Sequence, residues 1–421
     1  MMPSVVEMGT MPERTNASGE TARWKQRCIY RVPDWMKDTT NKKAYCPQFV
    51  SLGPLHHGKD HLKPMEEHKL RAVQHMVRRS GRSKTEFESA INEVVSDLGA
   101  AYDGLDNKWL RENRGSFVEM MVRDGCFLLE VIQRRREIYM DYAVNDPVFS
   151  MRSSSILWPI IRSDMIRMEN QLPLLVLQRL LNVAGGDHQS AEVMVVSYLE
   201  SPKLPDGPHQ PLDLHPLGIF HKSYCGRPHL KGIIVDQDEP GMPSAFELSE
   251  AGIHFQKISD PHDVGFSNGV LRMPQLLFHD STEVELLNLM AFEWLHTDDK
   301  QYSWVSSYVS FLYKMIKSER DVALLRSKGI FVNMIGSDKK VVKLFNILTK
   351  LARGNDRMLA YVQRGVNQHC SKRRNKWRAS FMNKYLSNPW VFISLLAATI
   401  LLVATVGQTV YTVLQFYTKS G

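Results

Sequence analysis

Between Lys384 and Lys419 the chain carries no charged side chain, and Trp390–Val406 (WVFISLLAATILLVATV) is apolar except for Ser394, Thr399 and Thr405. A helix crosses about 30 Å of hydrocarbon with about 20 residues at about 1.5 Å each, and this stretch, extended through Gln408 towards Tyr417, is long enough. Tyr385 and Trp390 lie at one end and Tyr411, Phe416 and Tyr417 at the other. Rings of this kind prefer the headgroup level. The expectation is one membrane-spanning helix over 389–417, with Trp390, Leu395, Leu396, Ile400, Leu401, Leu402 and Val406 in the bilayer. A buried core helix is the alternative, which the length, the missing charges and the flanks disfavour.

The same end of the chain explains the net charge of +8. Residues 371–421 hold Lys372, Arg373, Arg374, Lys376, Arg378, Lys384 and Lys419 and no acid, so seven of the eight excess charges lie there. A nucleic-acid binder spreads basic charge over a folded face, so this pattern excludes one. The basic cluster precedes the apolar segment and only Lys419 follows it, which by the positive-inside rule places the bulk of the chain in the cytosol, tail-anchored. Lys372, Arg373, Arg374, Lys376 and Arg378 form a juxtamembrane neck over 371–388. They either attract anionic lipid, at about 1 kcal/mol each, or act as a plain stop-transfer flank.

The first 30 residues contain no apolar run of signal-peptide length. The five cysteines, Cys28, Cys46, Cys126, Cys225 and Cys370, are odd in number and lack a C-x-x-C pair, which argues against a disulfide framework or a zinc site. With 43% hydrophobic and 23% charged residues over 421 positions, the remainder has an ordinary globular composition, not a disordered or collagen-like one.

Periodicity reads as mainly α. Residues 1–28 form an unpatterned tail and 29–370 a helical body. Helices are expected over Lys63–Arg79 (with Leu70, Val73 and Val77 inward), Lys84–Tyr102, Phe117–Arg136 and Ile156–Leu181, the last broken near Gln171-Leu172-Pro173. The Pro- and Gly-rich stretch 201–245 reads as an irregular connection. Three short strands follow, Ile253–Ile258, Asp263–Phe266 and Val270–Met273, with Asn268-Gly269 as a hairpin turn. Further on, Leu287, Met290, Ala291, Trp294 and Leu295 form a buried helical stripe. Ser318 with Asp321 makes a capping box, and Ser337 starts a helix with Val341, Leu344, Phe345, Leu348 and Leu351 inward. Residues 418–421 are a short tail.

Several motifs invite chemistry. Gly53-Pro-Leu-His-His-Gly58-Lys59 fits G-x-x-x-x-G-K, but Asp60 replaces the magnesium-binding Ser or Thr, and Pro54 removes a backbone donor. Gly265-Phe-Ser267-Asn-Gly269 fits G-x-S-x-G, yet a strand-like run follows where a nucleophile elbow needs a helix. His56, His57, His61, His68 and His75 crowd one region without ligand spacing. Asp124, Asp164 and Glu169 lie in apolar surroundings, where acid–base work competes with capping or bracing helices at the Gly125 and Pro173 breaks. Cys126 has no neighbouring His or Lys to make a thiolate. No catalytic residue, cofactor or metal site is assigned.

The ordered motifs do resemble a family. Tyr30-Arg-Val-Pro33, Tyr45-Cys-Pro-Gln48, Ser51-Leu-Gly-Pro54, His56-His57-Gly58-Lys59, Met65-Glu-Glu-His-Lys69, Asp124-Gly-Cys-Phe127, Glu169-Asn-Gln171 with Pro173, Asn288-Leu, Asn388-Pro-Trp390 and Gln408-Thr409 are similar to those of the plant proteins grouped under domain of unknown function 247. The resemblance implies a single C-terminal transmembrane helix and no established enzymatic activity, and some grass members are implicated in self-incompatibility. Pro216 interrupts what resembles the family's His-Leu-Leu segment. The functional expectation is a membrane-anchored recognition or signalling protein, not an enzyme. Its partners would be the lipid bilayer and unidentified proteins, with neither nucleic acid nor small-molecule substrate. The alternative is a membrane-tethered serine hydrolase using Ser267.

Overall fold

The computed structural model describes residues 27–135, 141–185, 190–199, 215–225, 241–259, 263–296, 303–352, 357–372 and 389–419. They are mainly helical with two small sheets, and they cluster into two compact units.

The first unit comprises residues up to Arg227 and Ser281–Val305. Its longest helix, Arg114–Arg135, buries Phe117, Met121, Phe127, Leu128 and Ile132 and packs against Pro64–Ser80 and Leu174–Ala184. Gly125 does not break it. The position lies in mid-helix, and a Cβ there would stand 2.4 Å from Leu180 Cδ1 and 2.8 Å from Val176 Cγ1, so the glycine is what lets the 174–184 helix approach. The 64–80 helix begins with Pro64 in its first turn and ends at Gly81, whose φ is 68°. Its inward residues are Met65, Lys69, Ala72, Val73 and Met76. Leu70 points outward, because the true face includes a lysine that apolar counting passes over.

A capping box at Ser83 and Glu86 opens Lys84–Asn92, which stops short of the expected Tyr102; a second short helix, Val95–Ala100, follows. The interruption near Pro173 is a full turn, 166–173, between Met151–Met165 and Leu174–Ala184. Pro216 opens a helix, Pro216–Cys225, inside the stretch read as irregular, which fits its lack of an N–H that would be unpaired there anyway. The rest of 200–240 lies outside the described residues. Trp294, placed on the buried stripe of Thr282–His296, is instead about half exposed and meets Trp35 edge to face at 5.4 Å.

The second unit holds both sheets. Strands β1 (His254–Ile258), β2 (Gly265–Ser267) and β3 (Val270–Pro274) run in the order β1-β3-β2, with β1 parallel and β2 antiparallel to β3. The expected hairpin turn is present, with φ of 51° at Asn268 and 78° at Gly269. A two-stranded parallel sheet not foreseen from sequence, β4 (Leu276–Phe278) with β5 (Phe331–Asn333), sets Phe278 edge to face against Phe331 and against Phe345 of Asp338–Ala352. The capping box of Ser318 and Asp321 starts Glu319–Ser327. Tyr361 on Ala360–Ser371 donates to the Val264 carbonyl at 2.8 Å. The last helix is Pro389–Lys419.

Replacing Gly125 with Ala tests the close approach. Helix propensity alone favours Ala by about 1 kcal/mol, whereas overpacking a filled contact costs about 1–3 kcal/mol. Urea denaturation should show G125A less stable than the parent, while G115A, with open space around its Cβ on the same helix, should be no less stable.

Candidate functional site

The turn 166–173 and the helix end before it bury Asp164, Arg167, Glu169, Asn170 and Gln171. Asp164, fully buried, accepts three successive backbone N–H groups, from Gln48 (2.9 Å), Phe49 (2.7 Å) and Val50 (2.9 Å). Arg167 donates to Asp164 and to the Lys43 and Ala44 carbonyls. Asn170 accepts from the Leu52 N–H at 2.8 Å and donates to the Val50 carbonyl at 3.0 Å. Glu169 accepts from the Val32 N–H and from Lys37. Burial pushes the Glu169 carboxyl up, but His56, Lys37 and that N–H outweigh it and hold it below the usual carboxylate range. One eight-residue stretch thus replaces water for much of residues 28–58, whose only regular elements are the short helix Asp34–Thr39 and the 3-10 turn Lys42–Tyr45.

Next to it, Lys69 is completely buried and pairs with Asp124 at 2.7 Å and Glu66 at 2.6 Å, while Asp124 also accepts from the Gly53 N–H at 2.8 Å. Burial pushes the Asp124 carboxyl up against the pull of Lys69. A Cβ on Gly53 would stand 2.6 Å from both the Gln171 carbonyl oxygen and the Tyr102 hydroxyl, and its φ is 74°, so only glycine fits.

Two histidines close the other side. His215 Nε2 lies 2.8 Å and His296 Nε2 2.7 Å from the same Cys28 carbonyl oxygen. The second nitrogen of each also faces an oxygen, Gln171 Oε1 for His215 and the Phe292 carbonyl for His296. A neutral ring has one N–H to give. His215 Nδ1 also accepts from the Gly218 N–H at 3.3 Å, as a neutral ring can, and protonating both rings would bury two cations 6.0 Å apart. Burial and the His296 ring therefore push His215 down to about 3, and burial with a smaller contribution from His221 pushes His296 down to about 4. His221 itself faces Glu293 at 3.1 Å.

The motif residues separate. In the G-x-x-x-x-G-K segment the Gly53 N–H is spent on Asp124, and a three-residue turn, Asp60–Leu62, follows where a P-loop has a helix. Ser267 ends β2 and accepts from Arg272 at 3.1 Å, and β3 follows it, so the helix-start N–H groups of an oxyanion hole are not at hand. His56 is buried 3.5 Å from Glu169 and is pushed down by burial. His57 meets Trp109, His61 the Pro47 carbonyl, His68 Arg71, and His75 Asp141 and Tyr142. Among the described residues no three His, Cys, Asp or Glu side chains come together as a metal site. Cys126 is fully buried and burial pushes its thiol up. Asp124 and Glu169 brace the 28–58 segment; neither caps a helix.

Sequence reading overlooked Lys69, Arg167 and His215 as partners of these acids. A signal for Lys69 exists: it stands four after Met65, three and four before Ala72 and Val73, and seven before Met76, all inward.

At the C-terminus, Phe392–Thr412 spans 21 residues at a mean hydropathy of 2.0, and none of its most apolar window is covered by the rest of the chain. Trp390, Leu396, Ile400, Leu401, Leu402 and Val406 are exposed and Leu395 is partly so. One helix here is long and apolar enough to cross a membrane. Lys372 closes the 360–371 helix; Arg373, Arg374, Lys376 and Arg378 lie outside the described residues.

The described residues thus form a mainly helical protein with a buried polar network in its first unit and an apolar C-terminal helix. The family profile for DUF247, plant protein of unknown function, matches residues 29–404, and the chain belongs to that family. It is 28% identical over 437 aligned residues to a UPF0481 protein of Arabidopsis thaliana, covering 94% of this chain and 88% of the relative. A putative UPF0481 protein of the same plant is 22% identical, covering 89% and 88%. No solved structure matches the chain.

Two outcomes follow from the network. Lys69→Met leaves Asp124 buried and unpaired, which costs about 3–5 kcal/mol, whereas K69M with Asp124→Leu should recover most of that loss in urea titrations. Acidification acts through the histidines. Unfolded, His215 and His296 take up protons near pH 6.5; folded, they do so only near 3 and 4. The unfolded chain therefore binds more protons below pH 6.5, and stability falls as pH falls. Between pH 7.5 and 5.0 the two together should remove about 4 kcal/mol, and His296→Gln should roughly halve that dependence in paired denaturation curves.

Proposed function

We propose that this chain is a membrane-anchored recognition or signalling protein that acts by protein–protein contact, with its bulk in the cytosol. The uncovered apolar helix Phe392–Thr412 carries the reading, because water leaves such a surface exposed only at a steep cost. The basic residues Lys372, Arg373, Arg374, Lys376 and Arg378 on its N-terminal side support the cytosolic orientation. Contact as the mode of action draws support from the exposed Trp35 and Trp294 pair, since tryptophan is enriched at the energetic centres of interfaces.

The test is fractionation of cells expressing an N-terminally tagged chain. The full chain should stay with membranes through alkaline carbonate and its tag should be digested by protease outside sealed vesicles, while a variant lacking 385–421 should be soluble. Release of the full chain by carbonate would overturn the anchor. A protected tag, or glycan on Asn16 of the Asn16-Ala-Ser18 sequon, would overturn the orientation.

A further inference from the structure

Within the apolar span the hydroxyls of Thr399, Thr405, Thr409 and Thr412 each donate to the carbonyl four residues back, at 2.8 Å. Gln408 has no such outlet. Its backbone carbonyl takes the Thr412 hydroxyl, and its side-chain amide meets no partner among the described residues. Gln408 lies six residues beyond the middle of Phe392–Thr412, roughly 9 Å along the axis and so inside the about 15 Å half-thickness of hydrocarbon. A carboxamide with two N–H donors and a carbonyl acceptor is costly to leave unpaired there.

The neighbours of Gln408 form a pattern. Ser394, Leu401 and Gln408 are spaced by seven, and the positions three and four after the first two are Ala397, Ala398, Ala404 and Thr405. The side of the helix away from them carries Leu396, Val403, Val406 and Val410. A seven-residue seam stays on one face of two gently supercoiled helices. Small side chains along it let the backbones approach while the bulky face meets lipid.

We propose that Gln408 joins two copies of this chain through their membrane helices, side by side and parallel. The occupant is argued from the amide itself. An unrelated helix would need a polar side chain at the same depth, whereas a second copy related by a two-fold axis brings one to that level by symmetry. A carboxamide is self-complementary, each N–H donating to the other's carbonyl oxygen. The inference rests on the anchor proposed above.

The experiment uses the full chain, fused at its N-terminus to donor or acceptor fluorophores and reconstituted into phosphatidylcholine vesicles, with energy transfer followed as lipid dilutes the protein. Each sample is also floated on a density gradient. The parent should float and show transfer that falls on dilution. Gln408→Leu should float equally but associate about tenfold more weakly, the equivalent of the 1–2 kcal/mol typical of such bonds. Gln408→Asn should retain part of the affinity, and Val403→Ala on the opposite face should match the parent. A parent that floats without transfer, or Q408L with undiminished transfer, overturns the pairing while leaving the anchor intact. A parent that fails to float overturns both.

Discussion

Asp164 sets the arrangement on which the first unit depends. Its carboxylate takes three consecutive backbone N–H groups from residues 48–50, a segment that belongs to neither a helix nor a sheet. A buried chain without a ladder is tolerable only when its amides find other acceptors. Here Asp164, Asn170, Glu169 and Asp124 supply them, and Arg167 and Lys69 offset the charge these acids bring inside. The 28–58 segment owes its order to this exchange together with the burial of Ile29, Val32, Met36, Tyr45, Val50 and Leu52.

The same logic explains why charge sits so deep. Each carboxylate is engaged by several donors that fix its direction, which is what a brace needs and what a general base poised for a substrate would not have. Glu169 is held below the usual carboxylate range by His56, Lys37 and the Val32 N–H despite burial. His215 and His296 are kept neutral by burial while sharing the Cys28 carbonyl. The network ties the fold to neutral conditions.

The terminal helix is built differently. Its span buries nothing against the protein, and its polar atoms are mostly returned to its own backbone through threonine hydroxyls. A helical body fixed by internal polar bonds and a long apolar helix are separate solutions to pairing every backbone group, one by side chains and one by the helix alone.

What the sequence determined by itself are features with local causes. The mainly α class, the apolar terminal helix, the Asn268-Gly269 turn, the break at Pro173 and the Ser318 capping box each depend on a periodicity or on one residue's backbone preference, and all stand where expected. Tertiary structure alone decided the rest. Lys69 faces inward because Asp124, 55 positions away, needs a cation there, and Trp294 faces outward although its spacing fits the stripe. Gly125 permits a helix contact instead of breaking a helix, and β4 finds β5 across a gap of more than 50 residues. In each case the deciding partner is distant in the chain, and periodicity carries no information about which distant group will arrive.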